Sequence, residues 1–389
     1  SADSGSPHEG GATRLFASGV ARRVVKADVA SLYPSLMRTY RIGPACDRIG
    51  ALLGVLTALL DLRLQHKDAA RAAAVGSIER SHHDSLQAAM KLMINAAYGY
   101  MGAGEMALFA DKHAADAVTR YGRELLDQLC QRLEAGGATL IEADTDGVYF
   151  AVPETWDEAA ERALVANVAA TLPQGIRLEY EGRFQSMLSH EIKNYALLTY
   201  DGQLIVRGAA MRSSRSEPYG EAFLRAALAC LLRGDVPGVA EAFQQTANAL
   251  RQRDLTANDV ATRVRLSKSP EEYLSTRTRH QQQQYEALLA AGRRDWRPGE
   301  RVRFYRRADK SAVWLPDALE QHNQQQTTDD GQQTDYDIEH YLNILVGSYA
   351  ERLKKAFAPG DFAQLFRADT QIGLFDTPPS TITPLWIEA

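Results

Sequence analysis

Two aspartates one residue apart, in Asp144-Thr145-Asp146-Gly147, sit between the apolar runs Leu140-Ile141 and Val148-Tyr149-Phe150. Runs of that kind around a short Gly-bearing segment read as a hairpin with its carboxylates at the tip. Two negative charges held so close call for a cation, and hard oxygen donors suit Mg²⁺, whose shell is usually completed by substrate phosphates. A bare D-x-D-G is also an ordinary Asp-Gly turn, so its meaning depends on its company. Upstream, Val24-Val25-Lys26-Ala27-Asp28-Val29 reads as a short buried strand carrying a third carboxylate near its end, a position where a lone Asp otherwise serves as a cap. Ser31-Leu32-Tyr33-Pro34-Ser35 then turns into a helix, whose unpaired N–H groups at the start suit a phosphate.

The elements between these carboxylates are helical. Residues 50–99 predict two helices, broken near Gly76 and His82-His83 and folded back as an antiparallel hairpin. Arg63 and Lys67 lie four apart on the first helix, while Lys91, Asn95 and Tyr98 share a face of the second and Gln87 extends it backwards. Each of these residues also fits a solvated face, but cationic stripes on two facing helices are what a triphosphate needs. Residues 114–134 predict an amphipathic helix backing the sheet that bears the hairpin. A helix over 154–171 and strands over 176–180 and 195–199 complete one α+β layer, with Asp28 and the hairpin carboxylates at neighbouring edges.

With 389 residues and 45% hydrophobic content the chain can bury a sizeable core in two or three domains or subdomains. No apolar run is long enough to span a membrane, and the Gly/Ser/Ala-rich start lacks a signal-peptide core, so the expected place is the cytoplasm. Cys46, Cys130 and Cys230 include no CxxC pair, which predicts free thiols and no zinc site. The net charge of −5 hides an uneven distribution: residues 251–310 hold 15 Lys/Arg against 8 Asp/Glu, interleaved with Tyr273, Tyr285, Trp296, Phe304 and Tyr305. Such a stretch fits either a phosphate-tracking surface or a solvated helical face.

Taken together, the motifs resemble those of family B DNA polymerases. Asp28-Val29-Ala30-Ser31-Leu32-Tyr33-Pro34-Ser35 is similar to the family's D-x-x-S-L-Y-P-S, Lys91 to Gly99 to its K-x-x-x-N-S-x-Y-G, and Asp144-Thr145-Asp146 to its D-T-D-S. Ile192-Lys193-Asn194-Tyr195 resembles the lysine/tyrosine motif before the thumb, and Arg207-Gly208-Ala209-Ala210-Met211-Arg212 the segment that follows it. Tyr336 to Tyr341 resembles the start of the last thumb helices. The departures are Ala96 and Gly147, where the family usually has Ser, and Asn194 inside the lysine/tyrosine motif.

The resemblance implies an α+β right-hand polymerase: an antiparallel palm over 1–49 and 105–206, a two-helix fingers insertion over 50–104, a mostly helical thumb over 207–366 and a flexible tail over 367–389. No exonuclease domain is expected, because little chain precedes Asp28, which leaves repair or lesion bypass open as a role. Asp28, Val29, Asp144 and Asp146 would hold two Mg²⁺ ions, for which Mn²⁺ can substitute. Ser31, Leu32, Tyr33, Arg63, Lys67, Lys91, Asn95 and Tyr98 would bind the dNTP, with Tyr33 as a steric gate beneath the sugar. Thr145, Lys193, Tyr195, Arg207, Gly208 and Arg212 would contact primer–template DNA. In the tail, Gln371, Ile372, Leu374 and Phe375 resemble the Q-L-x-L-F peptide that binds the bacterial sliding clamp, although so short a tail can also dock on its own domain. The expected state is a monomer at a bacterial nucleoid. A DNA-binding scaffold without catalysis, and a reverse transcriptase or primase, remain as competing readings.

Overall fold

The computed structural model describes residues 13–103, 107–145, 147–213, 215–316, 332–367 and 377–389. Asp146, the clamp-like residues Gln371, Ile372, Leu374 and Phe375, and most of the Gln/Thr/Asp-rich segment expected to form a loop over 319–335 lie outside them. The chain divides into two compact units, one mainly Arg22–Arg183 and the other mainly Phe184–Ile387.

The first unit is organised by β2 (Gly19–Val29), longer than expected, which alternates between two faces. Val25, Ala27 and Val29 point into a core shared with α1 (Leu32–Tyr40) and α4 (Lys112–Ala135), leaving Lys26 and Asp28 on the other face. α4 starts where the Asp111 carboxylate accepts the Ala114 N–H, and it buries Ala115, Val118, Leu125, Leu126, Leu129 and Leu133 along one stripe. The expected hairpin forms as β3 (Thr139–Asp144) and β4 (Gly147–Ala151), joined through Thr145 and Asp146. Strand order is β1 (Arg14–Leu15), β3, β4, β2, so β4 separates the strands bearing Asp28 and Asp144. These two residues are therefore not on neighbouring edges, as expected from sequence, but flank a shared central strand.

Both helices of the expected pair are present, as α2 (Ala51–Ala72) and α3 (Ile78–Met101). The break falls at 73–77, where Gly76 takes φ 79° and Ser77 caps α3 by accepting the Arg80 N–H, so His82 and His83 lie inside a helix rather than at the break. His83 returns alongside α2, its Nδ1 2.8 Å from His66 Nδ1. α5 (Glu158–Ala169) is shorter than predicted because Asp157 caps it, and β5 (Leu178–Glu191) runs well past the expected strand end.

In the second unit β5 continues into β6 (Asn194–Leu198) and β7 (Leu204–Arg207) as an antiparallel meander. α6 (Pro218–Leu231), α7 (Val236–Gln252) and α8 (Ile338–Ile344) enclose a core containing Phe223, Phe243, Tyr341 and Tyr349. Buried Glu217 ties that core together, accepting hydrogen bonds from Thr262 Oγ1 at 2.8 Å and the Tyr349 hydroxyl at 2.9 Å. A separate sheet is formed by β8 (Thr262–Arg265), β9 (Arg301–Arg306) and β10 (Ala312–Leu315), over a small core built on Tyr273, Tyr285 and Trp296.

The end of the chain, expected to be flexible, is anchored where it is described. Ile382 is buried, Leu385 donates to the Ala356 carbonyl at 2.7 Å, and Trp386–Ile387 pairs in parallel with Val20 and Ala21. A Cβ at Gly19 would run into the Leu385 carbonyl, so the close approach requires glycine there. Apolar residues following the Pro-rich 378–379 step supply the burial that holds this segment.

Candidate active site

The strand register assembles the acidic centre. Asp28 faces Gly147 across β2 and β4, and Asp144 faces the same Gly147 across β3 and β4. Residues in one cross-strand row project to the same side of the sheet, so the two carboxylates stand on one face. Two strand spacings put their α-carbons about 10 Å apart. Gly147 leaves the gap between them clear, since a Cβ there would run into Asp28 Oδ1. With glycine at 147, the Asp28 carboxylate occupies space that a Cβ would claim.

Lys26, one row behind on the same face, holds its ammonium 4.0 Å from Asp28 Oδ1 and 5.8 Å from the Tyr149 ring centre. Asp144 Oδ1 accepts the Thr145 N–H at 2.7 Å and the Thr145 hydroxyl at 3.1 Å, which orients that carboxylate. Among the described residues no three His, Cys, Asp or Glu side chains cluster as a metal site; Asp28 and Asp144 offer hard oxygen donors on one face, the donor type a divalent cation such as Mg²⁺ takes. The side chain of Val29 is in the core, so only its backbone carbonyl is available to such an ion.

Beside this centre the chain leaves β2 through Ser31, which takes a left-handed conformation (φ 48°, ψ 59°) before α1 begins. A β-hydroxyl residue held there costs energy, and such strain concentrates at functional turns. Ser35 Oγ donates to the Ala30 carbonyl at 2.9 Å and helps hold the turn, while Leu32 is buried beneath it. Arg63, itself buried, reaches from α2 to hydrogen-bond Ser31 Oγ.

Tyr33 stacks on Tyr98 with ring centres 4.7 Å apart and planes inclined by 20°. Its other boundary is α4 at Gly122, where a Cβ would lie 3.0 Å from the Tyr33 ring. Burial, reinforced by the neighbouring Tyr33 and Asp116, raises the Tyr98 phenol far above its usual range, so the ring is a neutral wall at working pH. Lys91 and Asn95 lie exposed on the same face of α3 as Tyr98. Lys67, by contrast, is hydrogen-bonded to Glu179 on β5.

In the second unit the β5–β6 turn carries Lys193 at φ 62°, and Tyr195 pairs with Arg207 across β6 and β7. Asn194, the second departure, works as a clamp: its Oδ1 accepts the Ala210 N–H at 2.7 Å. Gly208 packs directly onto the backbone of that turn, with φ 93° and no room for a Cβ. Arg212 follows on the surface, just after Met211, whose carbonyl accepts from buried Arg352 at 3.2 Å. Lys193, Tyr195, Arg207, Gly208 and Arg212 therefore come from one local assembly.

Sequence reasoning missed Gly122, Glu179, Asn194 and Arg352 as supporting residues, and took Gly147 only as a departure. Gly147 carried a usable signal as a glycine directly after the Asp144–Asp146 motif, and Gly122 a weaker one as an isolated glycine inside a helical pattern. Glu179 and Arg352 carried none, because their partners are distant in the chain. Among the described residues no helix is long and apolar enough to cross a membrane.

The chain is similar to known proteins over much of its length. The relatives include "DNA polymerase 1" of Pyrococcus abyssi, 27% identical over 272 residues, and the "DNA polymerase" of Thermococcus sp. (strain 9oN-7), 26% identical over 296 residues. These alignments take in 64% and 69% of this chain, which spans only 35% and 38% of the respective relatives. Over a shorter stretch of 147 residues, 36% of this chain and 12% of the relative, it is 35% identical to the "DNA polymerase" of Pyrococcus horikoshii. The fold matches the family B DNA polymerase of Pyrobaculum calidifontis with a TM-score of 0.64 and 20% identity, covering 97% of this chain and 48% of that one. The model of the family described as "DNA polymerase family B" matches residues 44–358, beginning after Asp28. That match covers most of the chain, and the chain belongs to DNA polymerase family B.

Proposed function

We propose that this chain carries the catalytic centre of a template-directed DNA polymerase, which adds deoxynucleotides to a primer 3′ end. The observation that carries the reading is the single cross-strand row Asp28–Gly147–Asp144, with the Ser31 turn and the Tyr33–Tyr98 stack beside it. Asp28 and Asp144, with Asp146 from the same motif, would hold divalent metal ions. When bound, such ions lower the pKa of the primer hydroxyl and neutralise charge on the transferred phosphate and the departing pyrophosphate.

The chain's own groups do the positioning. Lys91, Asn95, Arg63 and Lys67 meet the triphosphate from α2 and α3, and the backbone at 31–33 supports it from below. Tyr33, held by Tyr98 and Gly122, leaves no room for a 2′-hydroxyl and so selects deoxyribose. Lys193, Tyr195, Arg207 and Arg212 hold the DNA backbone without reading sequence. In this reading α2 and α3 act as fingers, the sheet with α1 and α4 as palm, and the unit beyond β7 as thumb. The segment Gln371-Ile372-Gly373-Leu374-Phe375 is proposed to tether the enzyme to a sliding clamp, its apolar side chains filling a pocket there.

The test is extension of a primed DNA template with each dNTP in the presence of Mg²⁺. Templated addition of the matching nucleotide, with ribonucleotides admitted by Tyr33→Ala, is expected; no addition by the folded protein would end this reading.

A further inference from the structure

The cationic stripe of α2 does not run out into solvent. Lys67 hydrogen-bonds Glu179 Oε2, and Arg71 clasps both oxygens of that carboxylate at 3.0 Å each. Arg177 Nε lies 3.1 Å from Glu179 Oε1 and is itself held by Asp68 at 2.9 Å. Glu181 adds a looser carboxylate, 3.8 Å from Lys67 and 3.9 Å from Arg71. The Glu179 side chain is only 3% exposed, so one buried carboxylate gathers three cations. Burial works to raise its pKa, yet the hydrogen bonds from Arg71 and Lys67 outweigh burial and hold it below the usual range.

The location matters as much as the pairing. Ala30 N–H donates to the Arg177 carbonyl at 2.9 Å, which sets Glu179 two extended residues, roughly 7 Å, from the contact beside Ser31. Arg63, one helical turn before Lys67, already touches Ser31 Oγ. The stripe Arg63, Lys67, Arg71 thus runs from the strained turn to Glu179.

We propose that Glu179 is a built-in competitor of the triphosphate, holding Lys67 and Arg71 on its carboxylate until an incoming nucleotide takes them over. The proposal rests on reading α2 as a nucleotide-gripping helix. Glu179 touches no substrate atom; it is a positioning residue that makes nucleotide binding an exchange of anions. The exchange costs every nucleotide alike, so it sets how much nucleotide is needed for binding without by itself changing the ratio of matched to mismatched addition.

The experiment compares wild type, Glu179→Gln, Glu179→Asp and Lys67→Ala in steady-state primer extension, with inhibition by inorganic tripolyphosphate as a second readout. Glu179→Gln is expected to lower the dNTP KM by about tenfold, one decade being 1.4 kcal/mol. Its kcat should change less, and tripolyphosphate should inhibit it more strongly. Glu179→Asp keeps the charge but shortens its reach; it should fall between the two, and it carries the test should the Gln variant fold poorly. A Lys67→Ala enzyme with wild-type KM would remove the underlying nucleotide reading. A Lys67→Ala enzyme with raised KM, beside Glu179 variants whose KM and tripolyphosphate inhibition stay at wild-type values or weaken, would overturn the competitor and leave Glu179 as a structural tie.

Discussion

One cluster of positive charge in each unit is built differently. In the first, Lys67 and Arg71 of α2 and Arg177 just before β5 share the buried carboxylate of Glu179. In the second, β8 and β9 set Arg263 against Arg303 and Arg265 against Arg301, like charges directly opposite on one face. Arg265 donates to the Gly299 carbonyl, and Arg303 donates to Asn258 and the Pro316 carbonyl. Opposed like charges destabilise a strand pair, and a polyanion such as a nucleic-acid backbone relieves them. In the proposed function, a selected small ligand would meet cations already held by a carboxylate, whereas a long polyanion would meet a row of opposed like charges.

Substitutions can break or sharpen that contrast. Asp144→Ala is expected to abolish extension, a loss of at least about a thousandfold, while DNA binding in a filter or anisotropy assay stays near wild type. Gly147→Ala should cost about a hundredfold in kcat, because the added methyl displaces the Asp28 carboxylate on a scale where small misplacements are costly. Activity close to wild type would show that Asp28 can retreat from the gap. Arg263→Ala/Arg301→Ala should weaken DNA binding about tenfold and reduce the slope of log K against log salt by up to about two, leaving the dNTP KM alone. A smaller effect is expected in acid. The depressed Glu179 pKa contributes stability that is present above the ordinary glutamate range and lost as pH falls through its folded value, so melting of Glu179→Gln should depend less on pH there.

Much of the first unit was legible because its signals are local. The hairpin around Asp144, the α4 periodicity and the turn at Ser31 follow from side-chain spacing and turn chemistry within a dozen residues. The break before α3 was placed partly wrongly because Ser77 as a cap outweighed the paired histidines, and the last residues were read as loose although they return to pair with β2.

By itself the amino-acid sequence determined which residue types sit on which face of each strand and helix, and so where carboxylates, cations and aromatic rings stand along the chain. Only the tertiary structure decided that Asp28 and Asp144 share Gly147 across a central strand, that Gly122 and Tyr98 hold Tyr33, and that Glu179 gathers the α2 cations. Periodicity along a chain carries the direction in which a side chain points, whereas strand order and packing between residues more than a hundred positions apart are set by burial of the whole core.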